Sequence, residues 1–149
     1  MRIEEISVKD FMHEQAHLLH EHWEELATHK AFMVLKPDWA KYAQLEAAGV
    51  LLTLGAFTHE GKAVGYSSSI IGNNLHYADL CYAHNDVLFV AKDYRRGRLG
   101  LQLIKETERL AKARGAQLMI WHAKEDTALM AVLPRIGYGV QDVLYSREL

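Results

Sequence analysis

A basic, glycine-containing segment at residues 95–100 has the composition of an anion-binding turn. It reads Arg-Arg-Gly-Arg-Leu-Gly and lies between an apolar run at 86–90 and a stretch of helical apolar spacing. A strand that turns here into a helix presents unpaired N–H groups to one small volume, where the helix dipole adds about half a positive charge. Glycines at 97 and 100 let an oxyanion approach the backbone. The segment predicts a phosphate or pyrophosphate site, against the alternative of an ordinary surface connection.

The strand that enters this turn begins with three polar residues, His84, Asn85 and Asp86. Buried polar groups must be paired, so their presence needs a reason. Strict alternation predicts that residues 84, 86, 88 and 90 share one face of the sheet. Two interpretations stay open, a strand-end turn with local backbone hydrogen bonds and a proton-accepting group of an active site. His122, at the end of the next predicted strand, is read as a strand-end histidine or as a residue facing an acceptor.

The hydrophobic periodicity predicts one α/β domain over residues 1–149, without repeats or linkers. Gly49 and Gly115 are expected to end helices, and Glu60-Gly61-Lys62 is expected to form a hairpin turn. Residues 75–83 are expected either to extend the sheet or to form a loop. The predicted elements are strand 2–7, helix 8–30, helix 37–48 with Pro37 in its first turn, strands 50–59, 63–71 and 84–90, helix 97–114, strand 117–123, helix 126–136 and strand 138–148.

Composition narrows the class of protein. The chain has 149 residues, 50% of them apolar and 24% charged, with a formal net charge of −2. Nothing basic overall favours binding to a nucleic-acid duplex. The single cysteine, Cys81, excludes an internal disulfide and is typical of a reducing cytoplasm. The N-terminus does not resemble a signal peptide, and no apolar run reaches the length of a membrane span.

A competing metal motif occurs near the N-terminus, where residues 13–17 read His-Glu-Gln-Ala-His. His-Glu-x-x-His on a helix is the zinc hydrolase pattern. Helical geometry places His13, His17 and His20 opposite the apolar residues, so we expect a solvated face and no metal site. His22 lies on the apolar face, where a packed, hydrogen-bonded core residue is expected and an acceptor-pocket residue is the alternative. The aromatic residues of the two-helix region are likewise read as core.

The segment around the basic turn resembles motif A of the GNAT (GCN5-related N-acetyltransferase) superfamily. Val90, Tyr94, Arg95 and Gly100 match the motif, whereas Arg98 replaces its middle glycine. The resemblance implies a GNAT-like mixed sheet flanked by helices, with acetyl-CoA as co-substrate. Its phosphates would sit on the turn and its pantetheine arm along the preceding strand, between strands 84–90 and 117–123. The implied cofactor-binding residues are Leu88, Phe89, Val90, Ala91, Arg95, Arg96, Gly97, Arg98, Leu99 and Gly100.

The resemblance also suggests roles on the acceptor side. In the family a carboxylate or histidine on the central strand often acts as general base through water, which points to Asp86 or His84. A backbone amide near Val90 would polarise the thioester carbonyl. Asp126 and Leu133 stand where the family carries an asparagine and a tyrosine, so the usual acid for the leaving thiolate is missing. Tyr82, Tyr145 or water could replace it.

These observations favour a cytoplasmic acetyl-CoA-dependent N-acetyltransferase that acts on a primary amine of a small molecule or a protein by direct attack. The acceptor is expected over the two N-terminal helices, and a homodimer is possible. Leu133 motivates an alternative, a non-catalytic acyl-CoA-binding sensor. A zinc hydrolase built on His13, Glu14 and His17 is the third hypothesis.

Overall fold

The computed structural model describes residues 1–149, and a five-stranded sheet forms its centre. The strands are adjacent in chain order. Three neighbouring pairs are antiparallel and the last pair, β4 with β5, is parallel. The predicted mixed sheet is confirmed. The elements up to the fifth strand follow the predicted order, apart from the first helix, which is divided in two. The strands are β1 (Arg2–Glu5), β2 (Leu51–Phe57), β3 (Ala63–Asn73), β4 (Cys81–Val90) and β5 (Leu118–Trp121).

Helices cover both faces of the sheet. On one face, α4 buries Leu99, Leu103 and Ala111 against apolar residues of β2, β3 and β4. On the other face, the N-terminal helices bury Phe11 and Leu18 against a cluster that includes Tyr66 and Phe89. No helix combines the length and apolar character that crossing a bilayer would need. The helices are α1 (Val8–Glu14), α2 (Ala16–Leu26), α3 (Trp39–Ala47), α4 (Leu99–Ala113) and α5 (Ala128–Val132), with 3₁₀ turns at Lys92–Tyr94 and Pro134–Ile136.

A β-bulge interrupts β4 at Asp86. Ser69 pairs with Asn85 and the preceding Ser68 pairs with Val87, so Asp86 is the extra residue. The bulge shifts the alternation of side chains, and the prediction that residues 84, 86, 88 and 90 share a face is wrong. Asp86 contacts Tyr42 of α3, whereas Leu88 and Val90 pack in the core on the α4 side.

Beyond the bulge, β4 keeps only one neighbour. Its parallel pairing with β5 ends at Asn85 opposite Trp121. On the β3 side the Ala91 N–H donates to the Val64 carbonyl, at 2.9 Å. Because backbone groups alternate in direction along a strand, the N–H and C=O groups of Leu88 and Val90 point away from β3, into the gap between β4 and β5. The expected separation of these two strands is therefore present.

Several element boundaries differ from the predictions. The predicted helix 8–30 is two helices that meet at Gln15 and end at Leu26, and helix 126–136 is a short α5 followed by a 3₁₀ turn. Pro37 precedes the helix cap, Asp38, whose carboxylate accepts from the Lys41 N–H. Residues 81–83 extend β4, whereas 75–80 form a loop. Gly49, Gly61 and Gly115 have positive φ, as the predicted turns and helix ends require.

The predicted C-terminal strand, 138–148, does not form. Residues 138–149 have no regular secondary structure, and 139–149 are exposed. Valine, leucine and tyrosine give this segment strand propensity, but a strand also needs a neighbour to satisfy its backbone groups, and no strand pairs with it. Tyr145, considered as a proton donor, lies in this exposed segment.

His22 is half-buried, packed and hydrogen-bonded, as its place on the apolar face predicted. Its Nδ1 lies 2.6 Å from the Tyr66 hydroxyl, and its ring stacks on Phe89 with centroids 4.7 Å apart. Burial, helped by the positive charges of Lys124 and Arg95, lowers the pKa of His22 to about 4, although Glu25 opposes the shift. His22 is therefore neutral in the folded chain near neutral pH.

This depressed pKa predicts acid sensitivity. The unfolded chain binds a proton at His22 near pH 6.5, whereas the folded chain binds it only near pH 4. As the pH falls from 6.5 to 4, this group should therefore lower the free energy of unfolding by about 3 kcal/mol. A His22→Gln variant keeps a polar partner for Tyr66 and should lose this component. Urea unfolding of both proteins between pH 4 and pH 7 measures it. Equal pH slopes in the two proteins would contradict the assignment.

Candidate active site

The backbone of the basic turn is open to an anion. The N–H groups of residues 96–101 donate no hydrogen bond within the protein, and the first amide of the helix to do so is Gln102, to the Arg98 carbonyl. Leu99 is buried and anchors the helix start, whereas residues 95–98 are exposed. A Cβ at Gly97 would meet open space, and one at Gly100 would lie 4.0 Å from Val90. Six free amides thus lie at the positive end of a 15-residue helix.

The three arginines of the turn do not share one role. The Arg95 guanidinium forms a bidentate pair with Glu25 of α2, with both N–O distances 2.6 Å, and its Nε donates to the Val90 carbonyl. This pairing lowers the pKa of Glu25. The guanidinium of Arg95 therefore joins α2 to the turn, and its expected role as a phosphate ligand stays a prediction. Arg96 and Arg98 form no ion pair and remain exposed.

The gap between β4 and β5 leads away from this turn. The N–H and C=O groups of Leu88 and Val90 point into it, but the Val90 carbonyl already accepts from Arg95. Ala91 begins the turn that follows. The Phe89 side chain faces the N-terminal helices and packs against His22 and Tyr66. An extended chain with amide groups could pair with this unpaired part of β4 as a strand does.

The two C-terminal residues predicted from the family motif, Leu133 and Asp126, lie in different surroundings. Leu133 is buried against Ile104 of α4 and Trp121 of β5, so it is a core residue. Asp126 lies exposed in the loop before α5 with φ of 58°. The α5 cap is the next residue, Thr127, whose hydroxyl accepts from the Met130 N–H. The structure gives neither residue a contact that would define a cofactor site.

A cleft of about 190 Å³ opens between α3 and the sheet, on the face opposite α4. Asp86 reaches it because the bulge turns this residue toward α3. The Tyr42 hydroxyl lies 3.4 Å from an Asp86 carboxylate oxygen, and burial together with the Asp86 charge raises the pKa of Tyr42 to about 12. Tyr42 therefore stays protonated. The cleft is lined by Asp38, Lys41, Tyr42, Leu45, Leu51, Ser68, Ile70 and Asp86.

The three residues predicted as catalytic lie close together. His84 and Asp86 are on β4, and the rings of His84 and His122 are 6.0 Å apart between centroids. Burial and the nearby His122 lower the pKa of His84, and the Asp86 carboxylate opposes them. Tyr82 stacks on His84 from the other side, with centroids 5.9 Å apart. A neutral imidazole beside a carboxylate can accept a proton near neutral pH.

Sequence reasoning missed Tyr42 as a residue of the cleft. It treated the aromatics of the two-helix region as core, and Tyr42 does pack partly against the core cluster beneath those helices. Its hydroxyl faces Asp86 only because of a bulge 44 residues further along the chain. No local pattern around Tyr42 could have shown that contact.

The zinc hydrolase geometry is not formed. His13 and His17 lie on different helices, because the helix is interrupted at Gln15. Both side chains are exposed, as is His20. No group of three or more histidine, cysteine, aspartate or glutamate side chains is arranged to hold a metal ion. The motif is therefore a solvated face of the N-terminal helices.

Comparison with solved structures shows the same fold. An aminoglycoside acetyltransferase from an uncultured soil metagenomic sample superposes with a TM-score of 0.78 at 18% identity, covering 99% of this chain and 97% of that one. A ribosomal-protein-alanine N-acetyltransferase from Brucella melitensis biovar Abortus gives 0.75 at 19% identity, with both chains fully covered. An aminoglycoside 6′-N-acetyltransferase from Acinetobacter baumannii gives 0.67 at 20% identity, covering 99% and 97%. At such identities the likeness shows the fold alone.

A search of curated proteins found no match. The family model described as the acetyltransferase (GNAT) family matches residues 8–138, which include the central strand, the basic turn, α4 and the cleft beside α3. The chain belongs to the GNAT acetyltransferase family.

Proposed function

We propose that residues 1–149 act as a single acetyl-CoA-dependent N-acetyltransferase domain that acetylates a primary amine of a small molecule or a protein by direct attack in a ternary complex. The observation that carries this proposal is the set of free amides at residues 96–101, next to a strand whose backbone faces an open gap. Family membership supplies the general activity. The geometry of the turn, the gap and the cleft supports the roles given to individual residues.

The turn fits the diphosphate of coenzyme A by its donors and its charge. Amides 96–101 and the exposed guanidinium groups of Arg96 and Arg98 supply donors without a partner in the protein. The N–H and C=O groups of Leu88 and the N–H group of Val90 offer strand-like pairing to the amide groups of a pantetheine arm, whereas the Val90 carbonyl already accepts from Arg95. When bound, acetyl-CoA supplies an activated acyl thioester. The chain's task is then to hold that group near Val90, exclude water and make the amine nucleophilic.

Deprotonating the amine is the demanding step. An alkyl amine with a pKa near 10.4 is protonated at pH 7, and removing that proton costs about 4.6 kcal/mol. We assign the proton acceptor to His84, acting through water, because its lowered pKa keeps the imidazole neutral. Asp86 faces the cleft and would attract and orient the ammonium group. Lys41 and Asp38 sit at the same cleft, so its three charged groups sum to −1, which suits a cationic acceptor.

A second function, acyl-CoA binding without turnover, is supported by one observation. Leu133 occupies the position of the family tyrosine and is buried in the core, so no proton donor replaces the acid at that place. A thiol with a pKa like that of cysteine, about 8.5, is a good leaving group even without such help. Release of free coenzyme A with a panel of primary amines separates the two functions, since a sensor would release none.

A charge at Gly100 tests the phosphate turn. Gly100→Glu places an anion at the positive end of α4, which should leave the melting temperature unchanged or raise it. The same charge should repel the diphosphate and weaken coenzyme A binding at least about tenfold. Gly100→Ala is the matched control, because its Cβ would have ordinary contact only with Val90. Calorimetric titration with coenzyme A measures the Kd of the two variants and of the wild type. Unchanged binding in Gly100→Glu, or equal loss in Gly100→Ala, would contradict the proposed site.

The assignment of His84 predicts opposite pH shifts in two neighbours. His122 lowers the pKa of His84 and Asp86 raises it, so His122→Ala should move the acidic limb of the kcat/KM profile to higher pH and Asp86→Asn should move it to lower pH. His84→Gln should lower kcat about 100-fold. Asp86→Asn should mainly raise KM for the amine.

Tyr82→Phe is the control for the position of the acidic limb, because it keeps the ring stacked on His84 and the limb should not move. Its hydroxyl was considered above as a proton donor to the leaving thiolate, so kcat is not the readout for this variant. If Asp86→Asn lost kcat 100-fold while His84→Gln retained it, Asp86 would be the proton acceptor instead. If the acidic limbs of the kcat/KM profiles moved in the same direction in His122→Ala and Asp86→Asn, the role of His84 would also be refuted.

A further inference from the structure

Four polar side chains are buried together between the sheet and α4, at the level of the bulge. Each is at most 1% exposed, so water does not satisfy them. Such a buried polar group is uncommon unless its hydrogen bonds fix a particular local structure. The four residues are Ser67, Ser69, Asn85 and Thr107, and we call them the bulge network.

The Asn85 amide is the centre of the bulge network. Its nitrogen lies 3.0 Å from the Ser68 carbonyl on β3 and 3.0 Å from the Val87 carbonyl on β4. The hydroxyls of Ser67 and Ser69 are slightly further away, at 3.2 and 3.3 Å. Two carbonyls can only accept, so the NH₂ group must face them, and its two hydrogens match these two nearest acceptors.

The two carbonyls flank the bulge. Ser68 pairs with Val87 across the strands, and the register changes between Ser68 and Ser69. A bulge disrupts the regular ladder and leaves backbone groups to be satisfied in another way. The Asn85 side chain therefore joins the two strands by bonding a backbone carbonyl on each, at the point where Asp86 is inserted.

The bulge network also reaches the helix that carries the basic turn. The Thr107 hydroxyl of α4 lies 3.1 Å from the Ser67 hydroxyl and 2.8 Å from the Leu103 carbonyl. Ser67 in turn contacts the Asn85 amide. A continuous hydrogen-bonded path thus connects α4, β3 and the bulged part of β4.

We propose that Asn85 is a positioning residue for acetyl transfer, which holds the β4 bulge so that Asp86 faces the acceptor cleft. Asn85 touches neither the cleft nor the gap and acts only through the backbone that it joins. This inference rests on the proposed function. It states that Asn85 fixes the geometry of the acceptor cleft. The amides of the basic turn lie beyond the strand, so a change at Asn85 should affect coenzyme A binding little.

Asn85→Asp tests this positioning role at nearly constant volume, because it removes the two N–H groups that donate to the Ser68 and Val87 carbonyls. We expect kcat/KM for the amine to fall about 10- to 100-fold, as for a displacement of about 1 Å at a reacting group. The Kd for coenzyme A should change less than about threefold. Ser69→Ala removes only the longest contact of the amide and should retain activity within about twofold. Parallel loss of coenzyme A affinity, or kcat/KM within twofold of the wild type, would overturn the proposal.

A buried carboxylate could prevent folding of Asn85→Asp, and Asn85→Leu then gives the same test without a charge. Hydrogen exchange provides a readout that does not need turnover. Peptides covering residues 84–90 should exchange faster in Asn85→Leu than in the wild type, whereas α4 should not. Unchanged exchange at residues 84–90 would refute the proposal that Asn85 holds the β4 bulge. If the wild type binds coenzyme A but acetylates no amine, the proposed function fails while the exchange result still decides what Asn85 does.

Discussion

The loss of one neighbour part-way along β4 is the constraint on which the rest of this structure depends. As far as Asn85 the strand is paired on both sides, and beyond Asp86 it is paired only with β3. Unpaired backbone groups inside a protein are costly, so a strand that keeps them must gain something from them. Here they face a gap that opens at one end toward free helix amides and lies next to a cleft that holds a carboxylate. Two different groups can thus approach the same stretch of backbone from different sides.

Charge is distributed to suit that arrangement. The chain has a net charge of −2, yet the turn before α4 is locally cationic, because it combines a helix dipole with exposed Arg96 and Arg98. Arg95 has a different role. Its pairing with Glu25 joins the turn to α2, and α2 also carries His22, which stacks on Phe89 of β4. The basic turn and β4 are therefore connected to α2 through two contacts, the Arg95–Glu25 pair and the stacking of His22 on Phe89.

The sequence was informative where the determinants are local. The turn at 95–100, the helix after it and the packing of His22 against the sheet follow from short-range spacing of glycine, arginine and apolar residues, and the structure agrees with each. The bulge at Asp86 could not be predicted, because one inserted residue depends on the opposite strand and on a side-chain amide that spans both. The C-terminal strand failed for a related reason: strand propensity at 138–148 says nothing about whether a neighbour is there to pair with it. Long-range pairing decided both outcomes.

The most direct test of the account follows the backbone amides themselves while coenzyme A is added. In ¹⁵N-labelled protein, the signals of residues 96–101 should shift most and saturate together, with those of Leu88 and Val90 following the same binding curve. Adenosine diphosphate should perturb the turn and leave the two β4 amides unchanged. If coenzyme A saturates the protein while the signals of 96–101 stay in place, the diphosphate lies elsewhere and the account is wrong.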